Sequence, residues 1–344
     1  MCKIIYFISC GLIKYFKFVV QKNIRIFTLT DNMKLIITSF ILSMSSLIFA
    51  QSSYFNGGNA WTRNKKEIMF NAGATQFLGD LGGHNGIGKD YSLRDLNFTA
   101  TFGNIGIGFR YRFAKHFATT TLLTAAMLKG DDALTKEPIR NARNLNFRSP
   151  YINLNQRIEW IIYTNEGIGN RYGLKGGMHD HNFQLYVFGG IGLAWFNPQG
   201  KYQGKWVNLR PLHTEGQGLP NGPKKYLPIT ASVPAGLGFR FAISRMWTLG
   251  LEATYIKTFS DYIDDVHGKY YDPAVLASHY GQASAYLSNP STTHPDWFNP
   301  GSQRGDKQKD AVFLLNITAT YNVTYKNYKS HYRVKRYKYN RSKF

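Results

Sequence analysis

Cysteine is nearly absent from this sequence: Cys2 and Cys10 are the only two, and both precede residue 33. Residues 51–344 therefore have no disulfide, no thiolate metal ligand and no cysteine to carry a lipid. Acidic residues are scarce as well, 20 Asp and Glu against 42 Lys and Arg, for a formal charge of +22. A long apolar run is missing too. The uncharged run Leu35–Phe49 has 15 residues, short of the roughly 20 that a membrane-spanning helix needs. No long segment carries an apolar stripe at helical spacing, which excludes a helical bundle. The G-x-S-x-G of a nucleophile elbow does not occur. The glycine run GNIGIG at 103–108 has no helix pattern after it, so it reads as strand glycines rather than a nucleotide loop.

What is present begins with a leader. Met33, a lysine, the apolar run and Ala50 before Gln51 read as a secretory signal peptide over 33–50, cleaved after Ala50. Residues 1–32, whose apolar runs are cut by Lys3, Lys14, Lys17 and Lys22, are read as an upstream mis-start segment, with Met33 the true start. An exported chain of this size without disulfides needs a generous core or closed strand pairing. The first 50 residues hold six Lys and Arg and one Asp, leaving +17 on residues 51–344. Eight of those cations lie in the acid-free tail 326–344. In an exported protein such a block suits an anionic membrane surface, a cell-wall polymer or an acidic protein partner rather than nucleic acid.

The dominant pattern is strict alternation in runs rich in Tyr, Phe, Thr, Val and Ile. In 311–325 one face carries Phe313, Leu315, Ile317, Ala319, Tyr321 and Val323, and the other Asn316, Thr318, Thr320, Asn322 and Thr324. Eight strands are expected, near 66–78, 101–113, 117–129, 149–165, 183–197, 229–242, 246–260 and 311–325. They are about twice the usual strand length, as a tilted bilayer crossing requires. The first, third, fifth and seventh connections are long, while the second and sixth are tight. The fourth, around 167–182, breaks that alternation. The fold class expected is all-β: an eight-stranded antiparallel transmembrane β-barrel over 51–325, with long extracellular loops and short periplasmic turns.

In a membrane barrel the apolar face points outward. The polar face, with Arg110, Arg112, Arg157, Glu159, Arg240 and Glu252 among glycines, is then a packed lumen. Glu252 is expected to pair with Arg240 on the neighbouring strand, because a lone charge there would be costly. Trp160, Tyr163, Trp195, Phe196, Trp247, Phe259 and Tyr325 near strand ends read as interfacial girdles. A soluble lipocalin-like carrier would bury those arginines badly.

Sites of chemistry are few. Asp131 and Asp132 follow the third strand, and Asp261, Asp264 and Asp265 follow the seventh. All five should emerge at the long-loop end, where they could gather around a calcium ion or simply serve as solvated loop acids and turn formers. His179, Asp180 and His181 are adjacent and point in different directions. His213, Thr214 and Glu215 cannot form a relay by themselves. No catalytic constellation emerges, and no cofactor or resident metal is expected.

The stretches KGDD (129–132), RNLNFRSP (143–150), VFGGIGLAWFNP (187–198), WVNLRPLHTEGQG (206–218), VPAGLGFRF (233–241) and KTFSDYIDDV (257–266), taken in order, resemble the PorG-like outer-membrane barrels of Bacteroidota. The likeness runs from about Glu67 to Tyr325. It implies a non-enzymatic barrel of the type IX secretion machinery that ties periplasmic ring proteins, a lipoprotein and its partner, to the outer membrane. No catalytic residue carries over, and the tail lies beyond the likeness. An even strand count puts both termini in the periplasm, which makes Lys335, Arg336 and Lys338 candidates for docking to that ring. The rival expectation is a surface barrel that binds a ligand or acts on lipid through its long loops.

Overall fold

The computed structural model divides the chain into two compact units, Met1–Ala50 and Gln51–Phe344. The structure describes residues 61, 64–81, 101–135, 137–164, 183–243, 246–291, 293–306 and 308–323, so the first unit lies outside the described residues.

Ten strands are described: β1 Lys66–Leu78, β2 Phe102–Arg112, β3 Phe117–Asp131, β4 Asn146–Thr164, β5 Phe183–Phe196, β6 Gln199–Tyr202, β7 Lys205–Asn208, β8 Ile229–Ala242, β9 Trp247–Thr258 and β10 Ala311–Asn322. Eight of them close into an antiparallel barrel in the order β1-β2-β3-β4-β5-β8-β9-β10, with β10 returning to β1. Closure leaves no edge, so every barrel strand has a partner on each side. The other two, β6 and β7, form a hairpin that joins the upper end of β4 through the pair Arg148 and Gln199. No helix among the described residues is long and apolar enough to cross a membrane.

The period-two pattern sets the register. Ile105 and Ile191 on the outer surface are 67% and 73% exposed, while Arg110 and Arg157 on the inner one are 1% exposed. A soluble barrel would reverse these faces. A tight turn joins β2 to β3, and at the β8–β9 junction the Ile243 amide donates to the Trp247 carbonyl at 3.1 Å. The β2–β3 turn is closed by mutual backbone bonds between Ala114 and Phe117. Trp247 packs against Tyr321 at the same end, with ring centroids 5.0 Å apart. The fourth connection, residues 165–182, lies outside the described residues, as do His179, Asp180 and His181.

The other end carries a folded cap. Helix α1, Pro138–Arg143, is capped by the Glu137 carboxylate, which accepts from the amides of Ile139 and Arg140. Helix α2, Pro273–Tyr280, has Asp272 as its N-cap and Pro273 at its first position. Gly281, at φ 88°, turns the chain directly into α3, Gln282–Ser288. The long seventh connection is thus a layer with its own buried side chains, among them Leu276 and Leu287.

That cap changes the reading of the lumen. A uniformly polar interior was expected, but the half beneath the cap is apolar. Phe77, Leu128, Phe147, Tyr151, Phe196, Ile256, Val312 and Leu314 of the barrel form one core with Leu81, Leu145, Ile263 and Val266 of the loops. Phe77 meets Phe147 edge-on at 4.9 Å, and Tyr226 stacks on Tyr262 at 4.4 Å. Water is excluded here because folded loops roof the barrel, so an apolar lining is favourable where an open mouth would have required a polar one.

Candidate functional site

Inward-facing positions near mid-barrel bring the predicted charges together. Arg110 of β2 donates from Nε to Glu159 at 2.7 Å and from Nη1 to Glu67 at 2.9 Å. Arg240 of β8 reaches the same Glu159 oxygen at 2.9 Å, and its Nη1 lies 3.5 Å from Glu67. Arg157 of β4 donates to Glu252 at 2.7 Å and lies 3.6 Å from Glu159. Arg112 lies one inward step closer to the short-turn end and donates to the Lys115 carbonyl in the turn. All these carboxylates are at most 3% exposed, so each charge depends on its partners rather than on water.

Glu252 does not take Arg240 as its partner. The reason is Tyr186, whose ring fills the diagonal between them. A Cβ on Gly238 would lie 2.2 Å from that ring, so only glycine admits it. The Tyr186 hydroxyl donates to Glu252, while the Arg240 guanidinium stacks on its face at 4.1 Å. Arg240 is thereby directed across the lumen to Glu159, and Glu252 accepts from Arg157 instead. Glu67 is an additional member of the network; the alternation of β1 places it on the inner face with Met69 and Asn71.

The second candidate constellation is acidic and sits in the cap. The five aspartates expected there have different partners. Asp131 accepts from the Ala133 amide. Asp132 is bound by Arg143 at 2.7 Å. Asp265 accepts from Thr214 at 2.6 Å and from the Tyr226 hydroxyl at 2.5 Å. Asp264 accepts the Leu81 and Val266 amides at 3.0 and 3.1 Å. Only Asp261 belongs to a group with cation spacing. With Asp80 and Asp306 it offers carboxylate oxygens within 4.8 Å of one another.

Burial pushes the Asp261 carboxyl up to about 8, with the Asp306 charge adding to it. Burial and Asp306 raise Asp80 to about 7. Asp264 and Asp310 lie well above the carboxylate range, chiefly through burial. Asp265, where Arg304 and two hydroxyls oppose the effect of burial, is raised only to about 6.

Two arginines that sequence reasoning missed tie the cap together. Arg143 donates to the carbonyls of Arg304 and Asp80 at 2.7 and 2.9 Å. Arg304 bonds Glu215 at 2.9 Å and the Asp265 carbonyl at 2.6 Å. Glu215 also accepts the amides of His267 and Gly268. His213 turns away to pack on Tyr280 at 4.7 Å. The stretch LHTEGQG is thus a structural clasp, and its Gly216, at φ 72°, lies against the Tyr271 ring.

Together the inverted faces and the filled lumen define a small outer-membrane β-barrel. No family model matches the chain, and no curated protein matches it. Among solved structures it is similar to the attachment invasion locus protein Ail of Yersinia pestis (10% identity, 75% of this chain and 98% of that one, TM-score 0.32). It is similar also to Neisserial surface protein A (8%, 75% and 96%, TM-score 0.33) and to the outer membrane protein OprG from Pseudomonas aeruginosa (11%, 75% and 97%, TM-score 0.30).

Proposed function

We propose that this chain is a non-enzymatic, structural barrel subunit of the type IX secretion machinery, holding periplasmic ring proteins to the outer membrane. The observation that carries the structural part is the interior. Cross-lumen ion pairs fill one half and an apolar core fills the other, so the barrel works as a membrane-embedded support with its partners bound outside it. The assignment to secretion is supported by the residue stretches that resemble PorG-like barrels. In this reading the cap faces the cell exterior, and both termini, with the docking candidates Lys335, Arg336 and Lys338, face the periplasm.

The test is a mild-detergent pull-down of the tagged mature chain from outer membranes, with and without residues 326–344. Ring proteins recovered with the full chain and lost with the tail support both the tether and its docking segment. If ring proteins never accompany the barrel, the secretion role falls, and the rival of a surface barrel acting through its cap takes its place. Orientation is checked separately: a cysteine at Ser291 should label on intact cells and one at Ser330 should not.

A further inference from the structure

Above the membrane-facing surface, the barrel wall continues upward on one side. The upper ends of β3 and β4 and the hairpin β6–β7 form a short four-stranded ledge, joined through the pairs Lys129 and Arg148, then Arg148 and Gln199. Its inner face packs on the cap: a Cβ on Gly200 would come within 3.0 Å of Leu209 and Leu287. On its outer face, strand alternation places Lys129, Arg148, Gln199, Lys201 and Trp206 together.

The height of this face follows from the strand itself. Outward positions of β4 from Trp160 at the lower girdle to Pro150 span ten residues. At about 3.3 Å per residue and a tilt near 40°, that is about 25 Å, the height of the apolar band of a membrane barrel. Arg148 and Lys129 occupy the next outward position. They stand where the hydrocarbon ends and lipid phosphates begin.

Two like charges directly opposite each other across a strand pair repel, and no ion pair among the described residues offsets them. Among the described residues, the ammonium groups of Lys129 and Lys201 have no hydrogen bond or ion pair. Arg148 uses only its Nε, which donates to Gln199 at 2.8 Å, and its guanidinium lies 4.6 Å over the Trp206 ring. That stacking orients the plane and leaves both terminal nitrogens open. The nearest outward acid, Asp131, accepts from the Ala133 amide as the cap of a short helical turn. Lysines elsewhere on the rim behave differently: Lys257 and Lys309 donate to the carbonyls of Lys309 and Phe259.

We infer that this face, Lys129, Arg148 and Lys201 around Trp206, binds a phosphate group of an outer-leaflet glycolipid. Arg148 presents a two-nitrogen fork to the phosphate, the lysines supply point charge, and Trp206 sits at the depth where aromatic rings favour the interface. The inference rests on the orientation proposed above, with the cap outside.

The test uses the purified mature chain in detergent, with a diphosphorylated glucosamine lipid A, the same lipid stripped of phosphate, and phosphatidylglycerol as probes, and bound lipid counted by native mass spectrometry. Lipid A should be retained in preference to both others. Each of Lys129→Gln, Arg148→Gln and Lys201→Gln should weaken it about fivefold, and the three together on the order of 100-fold, at about one surface-cation contribution each. The pair Lys257→Gln and Lys309→Gln should leave it unchanged. Heat-modifiable migration verifies that every variant is folded. Equal retention by the folded triple variant, or of phosphatidylglycerol, overturns the inference. Reversed labelling at Ser291 and Ser330 removes the orientation, and the inference falls with it. Correct labelling with a neutral triple variant removes the inference alone.

Discussion

Removing the Glu159 carboxylate leaves two buried guanidiniums, Arg110 and Arg240, to share the single carboxylate of Glu67. Glu159→Leu should therefore cost about 3–5 kcal/mol, the penalty for stranding a buried charge, read as a fall in the urea unfolding free energy of the reconstituted barrel. The pair Arg157→Met with Glu252→Leu removes both members of a 2.7 Å bridge, and should cost less than either single change. A double variant no better than the worse single would show that the bridge does not act as a unit. Gly238→Ala tests the diagonal. Its methyl would displace the Tyr186 ring, so the Arg240 stack is lost and stability falls by about 1–3 kcal/mol.

The cap is the element whose stability depends on pH. Asp80, Asp261 and Asp265 titrate in the folded chain near 7, 8 and 6, above the roughly 3.9 of an unfolded aspartate. Below that lower value each is protonated in both states and folding carries no penalty. As pH rises toward 8, the folded chain must bury charges that the unfolded chain leaves in water. The facing groups are Asp264, Asp306, Asp310 and Glu215, opposed by Arg143, Arg304, Lys257 and Lys309 and joined at Asp261 by His267. Cap stability should therefore decline between about pH 4 and 8. Protection factors for hydrogen exchange, measured against the intrinsic rate at each pH, should fall at Ile263 and Val266 over that range while those of the mid-strand amides of β9 hold; equal protection at both ends of the range would refute it.

Legibility in the sequence followed the range of the interaction. The eight barrel strands could be read within a residue or two, apart from two ends, the start of β4 and the end of β10, that differ by three, because alternation is local. The lumen arginines could be read because they break an otherwise small and polar face. Arg143 and Arg304 could not, since the bond that joins them spans 161 residues and both lie outside the strands, where there is no periodicity. Asp80 and Asp310 were missed for the same reason. The apolar half of the lumen was hidden differently. At Ile256 and Val312 both faces of a strand are greasy, and alternation cannot tell a roofed interior from a lipid-facing wall.

At the scale of the whole molecule, the filled interior predicts an electrically silent barrel. Reconstituted in a planar bilayer, the mature chain should show no single-channel conductance, and regular openings would contradict the plugged lumen. The apolar core also links events far apart in the chain. Phe77 comes from the first described strand, and Val312 and Leu314 from the last. The floor on which the cap rests is incomplete until the final strand meets the first. In the proposed orientation, with the cap outside, this sets an order for biogenesis: the cap crosses the membrane before it folds, and its folding waits for the seam to zip. A nascent chain arrested before residue 311 would carry a cap with no foundation. The same seam then serves as a checkpoint, since protease resistance of the cap reports that the cylinder has shut.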